Sequence, residues 1–86
     1  MSDPGAIHLY WTRHATRRLE QRHHLHPTQI DTELRERIAR VATDCEPRAS
    51  HHRRFTIRGY LQVVCECCRP CVFRVVTVRP LITRER

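Results

Sequence analysis

The stretch Ile7-His8-Leu9-Tyr10-Trp11-Thr12-Arg13-His14-Ala15-Thr16-Arg17-Arg18-Leu19-Glu20-Gln21-Arg22 changes period at its middle, and that change decides the architecture. Ile7, Leu9 and Trp11 alternate with other residues, the pattern of a half-buried strand. Thr12 suits an N-cap, because its hydroxyl can accept from a backbone N–H that lacks a helical partner. From Arg13 to about His24 the chain has neither Gly nor Pro, so a helix is expected. Its apolar side is thin, mainly Ala15 and Leu19, and most of its surface must stay exposed. His14, Arg18 and Arg22 then stand at i, i+4 and i+8, with about 6 Å of rise between neighbours. One imidazole and two guanidiniums on a single stripe make a candidate phosphate-binding face, with Arg13 and Arg17 on the neighbouring stripe.

Working outward, Pro27 is placed to open a second helix, since its missing N–H costs nothing at the first helical position. Ile30, Leu34, Ile38 and Val41 give that helix its buried stripe. Asp31 with Arg35, Glu33 with Arg37 and Glu36 with Arg40 form i,i+4 pairs on its exposed side, which sets those arginines aside as site candidates. Thr43 to His52 has loop composition. Beyond it lie three strand-like runs. In Arg53 to Arg58, Phe55 and Ile57 face inward, and Arg54, Thr56 and Arg58 face outward; Gly59 allows a turn or bulge. Tyr60 to Glu66 and Cys71 to Arg79 carry apolar residues on both faces, as expected of central strands or an oligomer interface. Met1 to Ala6 and Leu81 to Arg86 are expected to be loose ends, leaving one domain over residues 1–86.

Charge and length narrow the function classes. The formal net charge of +7 comes from 16 arginines against 9 acidic residues, with no lysine in the chain. Arginine suits bidentate contact with phosphate, and the excess points to a polyanion, nucleic acid first and an acidic protein second. A single core of this size is marginal without a metal, a disulfide or a partner subunit, so a homodimer is among the expectations. No stretch reaches the roughly 20 apolar residues of a membrane span, and five cysteines leave one unpaired, so a soluble cytoplasmic protein is expected.

A strand ending in Thr12, then His14-Ala15, Arg18 four residues on and Arg22 eight on, a short helix, and Arg-rich strands closing on Val76-Thr77-Val78 together resemble the DUF4258 family. That family is similar to the RelE and ParE toxins, within a wider group of metal-independent endoribonuclease folds. The resemblance runs from about Leu9 to Arg79, and His-Ala-x-x-Arg-x-x-x-Arg is its specific motif. It departs from the family at His23-His24-Leu25-His26-Pro27, where a Gly-containing turn is usual, and at the cysteine cluster. What the resemblance implies is an RNA-cleaving toxin needing no cofactor, with an acidic antitoxin as partner.

Metal-free RNA cleavage needs a group to take the 2′-OH proton, positive charge on the pentavalent phosphate, and an acid for the leaving oxygen. His14 can exchange a proton near neutral pH. Arg18, Arg22 and Arg58 would supply charge, Arg54 and Arg79 would extend the groove, and Tyr10, Trp11 and Tyr60 offer faces on which bases could stack, although Trp11 reads better as core. The competing reading is a non-catalytic, nucleic-acid- or protein-binding regulator. It rests on Cys65-Glu66-Cys67-Cys68-Arg69-Pro70-Cys71, whose four thiols in seven residues include a C-x-x-C spacing. Free thiols, a zinc ion on Cys65, Cys67, Cys68 and Cys71, and a Cys65–Cys71 disulfide are all open on sequence. No carboxylate stands at ligand spacing from the histidines, which weighs against a nuclease-type metal centre. The expected fold is α+β, with two N-terminal helices packed on a small antiparallel, RelE-like sheet in β-α-α-β-β-β order.

Overall fold

In the computed structural model, which describes residues 4–41 and 52–81, a 3-10 turn at Pro4–Ala6 leads into strand β1 (His8–Trp11) and then two helices, α1 (Arg13–His23) and α2 (Pro27–Val41). Strands β2 (His52–Ile57), β3 (Leu61–Arg69) and β4 (Val72–Pro80) follow. Cys45, most of the expected loop and the basic end beyond residue 81 lie outside the described residues. Residues 4–6 and residue 81 are the described parts of the two expected loose ends. The 3-10 turn forms within the expected loose arm, and Leu81 N–H donates to the Tyr60 carbonyl at 2.8 Å.

The sheet order is β1-β4-β3-β2, and the sheet is mixed. This corrects the expectation of two N-terminal helices on an antiparallel sheet. A strand precedes the helices, and it pairs with β4 in parallel, His8 opposite Val72 through Trp11 opposite Val75. The physical reason is the crossover: two helices and two strands intervene between β1 and β4, so the chain can return to the β1 edge running the same way. The His8 N–H donates to the Cys71 carbonyl at 2.8 Å and sets that register.

Local chemistry explains the helix limits. Thr12 caps α1, its hydroxyl accepting from the Ala15 N–H at 3.1 Å. At the other end His24 takes the left-handed conformation, φ 54°, where glycine would be the ordinary choice. α2 opens with a capping box built on histidine: His26 Nδ1 accepts from the Thr28 N–H, and Gln29 Oε1 accepts from the His26 N–H at 2.7 Å. Arg35, expected to be a solvated partner of Asp31, keeps that ion pair at 2.7 Å and also donates to the Ile7 carbonyl, tying α2 to the entry of β1.

The helices cover one face of the sheet only. Ala15 and Leu19 of α1, and Ile30, Leu34 and Ile38 of α2, are buried together with Phe55, Ile57, Leu61, Val63, Cys65, Phe73, Val75 and Val78. The parity of β4 is not regular along its length. Val64 lies opposite Thr77 while Cys65 lies opposite Val75, so Val76 is an extra residue, a β-bulge. Phe73, Val75 and Val78 therefore share the helix-covered face, and Thr77 and Arg79 turn to the open one.

Candidate nucleic-acid interface

Because cross-strand partners share a face, the register defines the open side as three rows. The first runs Tyr10, Arg74, Glu66, His52; the second Thr77, Val64, Arg54; the third Arg79, Gln62, Thr56. Val64 is the one strongly buried residue of the second row, 5% exposed. Charge is distributed unevenly over these rows. In the first, Glu66 accepts from Arg74 at 2.8 Å and stands 3.6 Å from His52, so its carboxylate compensates the local cation. In the third, Arg79 donates to Gln62 at 2.5 Å, which orients the guanidinium without neutralising it. In the second, Arg54 has no ion-pair partner among the described residues.

α1 packs beside β4 and brings its stripe to the rim of this face. His14 Nε2 lies 3.3 Å from the Thr77 hydroxyl, across a sequence separation of 63 residues. The imidazole is exposed, so it can reach a ligand while the hydroxyl fixes its orientation. Arg18 follows about 6 Å further along the helix and Arg22 one turn beyond. Neither is paired with a carboxylate among the described residues. Arg79 is two residues beyond Thr77, about 7 Å along the same face, and Arg54 is two strands away, about 10 Å. His14 thus stands beside Thr77 at the edge of a face that also carries Val64, Arg54 and Arg79, with Arg18 a turn further along α1. Thr77 is a site residue whose role the sequence did not suggest; its only signal was membership of the Val76-Thr77-Val78 run.

The other sequence candidates are placed elsewhere. Arg58 does not continue the outer face of β2. It sits in the β2–β3 turn at φ 55°, followed by Gly59 at φ 76°, with the Tyr60 N–H donating to the Ile57 carbonyl. Two successive positive φ values are those of a type I′ turn. Arg58 N–H donates to Glu33 at 3.1 Å, and its guanidinium donates to the Gln29 carbonyl at 3.3 Å, so it is held against α2 and apart from His14. Tyr60 lies beside the last turn of α1, its ring centroid 6.4 Å from that of His23. Burial, with Arg22 and His24 nearby, lowers the His23 pKa below the ordinary value.

A wider cleft of about 590 Å³ lies on the opposite flank of α1, lined by Trp11, Arg13, Thr16, Arg17, Glu20 and Gln21. Glu20 stands among its arginines, and no acid–base pair faces it. Arg13 and Arg17, the stripe next to the His14 face, belong to it.

The structure does not bring the four thiols of the expected zinc site to one point. Cys65 and Cys67 face the helix-covered side and are buried, Cys68 is exposed, and Cys71 occupies the β3–β4 turn at φ 65°. Cys67 is disulfide-bonded, whereas Cys65, Cys68 and Cys71 are free, which also removes the Cys65–Cys71 bridge. Alternation along a strand is the reason: neighbouring thiols point to opposite faces. Among the described residues no three His, Cys, Asp or Glu side chains converge as metal ligands. Burial pushes the Cys65 thiol up to about 12. No described helix is long and apolar enough to cross a membrane.

What these observations define is a two-layer domain with a basic, solvent-facing sheet surface. No protein-family model matches the chain, and no curated protein matches it. Among solved structures, TrmO from Pseudomonas aeruginosa is similar, with a TM-score of 0.57 and 22% identity over 92% of this chain. The match spans 37% of the TrmO chain, so this chain corresponds to little more than a third of it, and the likeness shows a shared fold alone.

Proposed function

We propose that this protein binds single-stranded RNA across the open sheet face and cleaves it without a metal ion, with His14 as the acid–base group. The observation that carries the reading is the placement of the exposed His14 imidazole against Thr77, 3.3 Å away, between arginines that lack acidic partners. Positive charge on an exposed sheet surface suits a flexible strand whose phosphates and bases are both accessible. The DUF4258-type motif at His14, Arg18 and Arg22 supports the same assignment. So does the net charge of +7.

In this mechanism the 2′-oxygen forms a bond to phosphorus as the P–O5′ bond breaks. His14 takes the 2′ proton, the departing 5′-oxygen takes one from water, and the imidazolium returns its proton to solvent. Arg18 and Arg79 stabilise the charge of the pentavalent phosphate, since a guanidinium keeps its proton throughout. Arg54 and Arg22 hold the flanking phosphates. The products are a 2′,3′-cyclic phosphate and a 5′-hydroxyl. A cytoplasmic toxin of this kind would be held inactive by an acidic antitoxin covering the same arginines, and co-purification from the native operon tests that partner.

The decisive assay incubates the full chain with single-stranded RNA in EDTA. Cyclic-phosphate ends are expected, and His14→Ala should lower the cleavage rate by about 100-fold or more while RNA binding persists. Intact RNA with every protein would overturn the catalytic step. RNA bound but never cut would favour the non-catalytic binding protein.

A further inference from the structure

The first row of the open face ends in a second feature that the cleavage mechanism does not use. Tyr10, Cys68, Arg69, Val72 and Arg74 line a cleft of about 370 Å³, at the small end of ligand-pocket sizes. Tyr10 is 61% exposed, an unusual position for a large aromatic ring, and it sits on β1 directly beside Arg74 of β4. Val72 supplies an apolar wall. Cys68 reaches the cleft because it is the extra residue where Cys67 pairs with Phe73 and Arg69 pairs with Val72. The two arginines differ: Arg74 is bound to Glu66 at 2.8 Å, whereas Arg69 has no ion-pair partner among the described residues. One end of the cleft is therefore aromatic and apolar, and the other carries an uncompensated cation.

We infer that this cleft is a nucleotide subsite, which stacks one base of a single-stranded RNA on Tyr10 and holds that nucleotide's phosphate at Arg69. The inference rests on the RNA-binding reading above and adds where a base is gripped. Stacking needs an exposed π-face, and Tyr10 provides one without any change in the core. The phosphate goes to Arg69 because Glu66 already occupies Arg74 and would repel a second anion. Arg74 and Thr77 are three residues apart on β4, about 10 Å along the strand, so one RNA strand can occupy this cleft and the His14 site together.

Two measurements on the full chain test this. By fluorescence anisotropy with a labelled single-stranded RNA oligonucleotide, Tyr10→Ala should weaken binding by about five- to a hundredfold. Arg69→Ala should weaken it less, and an abasic nucleotide at one position of the oligonucleotide should erase the effect of Tyr10→Ala. Separately, the same RNA should slow iodoacetamide alkylation of Cys68, followed by peptide mass mapping, with the buried Cys65 as the unreactive control. Unchanged affinity in Tyr10→Ala and Arg69→Ala, with Cys68 equally reactive when RNA is bound, would overturn the subsite. If Arg54→Ala still lost affinity in that case, the open face would remain the RNA surface. Failure of the unmodified protein to bind RNA would overturn both.

Discussion

The two faces of the sheet obey different rules although the same three long strands build them. The covered face takes Phe55, Ile57, Leu61, Val63, Cys65, Phe73, Val75 and Val78 and buries them under two helices, with no buried polar or charged side chain among the described residues. The open face takes Arg54, Arg74 and Arg79 as exposed residues and Thr56, Gln62, Glu66 and Thr77 as half-buried ones, and buries Val64 among them. Folding energy is therefore concentrated on one side, at about 25 cal/mol for each Å² of apolar surface removed from water. The other side can be altered at little cost to stability. A protein that needs closely spaced cations gains from this separation, since their mutual repulsion never enters the core.

The separation can be broken most severely at Phe73, fully buried at the centre of the covered face. Phe73→Ala should cost about 3–5 kcal/mol, read as a lower urea midpoint, and a much smaller loss would show that the helices do not carry the stability. A second probe is pH. Burial raises the Cys65 pKa from an ordinary value of 9.0 to about 12, so the folded state holds its proton where the unfolded chain has released it. That contribution is complete below about pH 9 and is lost as pH rises, by about 1.4 kcal/mol per unit. Cys65→Ala should flatten the pH dependence of the urea midpoint between pH 9 and 11, whatever its effect at neutral pH.

On the open face the expected effects move to binding. Arg54→Ala should leave the urea midpoint within about 0.5 kcal/mol of the original. It should also reduce the slope of log affinity for single-stranded RNA against log salt by about 0.7, the signature of one lost phosphate contact. A stability loss above 1 kcal/mol would mean that Arg54 serves the fold through Val64. The smallest effect sharpens the boundary between the faces. Thr12 caps α1 and also approaches the Val76 carbonyl at 3.4 Å, so Thr12→Ala should cost about 1 kcal/mol by thermal melting. It should also lower cleavage slightly, because the cap sets the position of His14.

The features legible in the sequence are those fixed by near neighbours. Thr12 as a cap, Pro27 as a helix start, the apolar stripes of both helices and the inward Phe55 and Ile57 depend on residues within a few positions. Features set at a distance were not legible. The parallel pairing of β1 with β4 joins residues some 64 positions apart, as His8 with Val72. Arg58 reads as a strand residue because alternation continues through it, yet Glu33 and Gln29 of α2 hold it in the turn. The cysteine run suggested a shared metal because spacing says nothing of which face each thiol takes. For the candidate site, the stripe of His14, Arg18 and Arg22 was visible from helical spacing. Its meeting with Thr77 was hidden by the Val75-Val76 pair, where two apolar residues in succession mask a change of parity.

That extra residue makes β4 behave like a line of text with one inserted letter. Every side chain after Val76 is read in the opposite sense to a regular strand, and the β1–α1 junction is built to meet the shifted copy. Removing the single residue Val76 would leave composition and charge almost untouched. It would close the bulge and restore regular alternation, with Val75 and Val78 still inward and Thr77 and Arg79 still on the open face, but it would take away the Val76 carbonyl that the Thr12 hydroxyl approaches. The two faces of β4 therefore tolerate the loss of this residue, and it is the junction with α1 that the bulge serves. Chains of this fold that lack the bulge should accordingly keep both faces and differ at the β1–α1 junction.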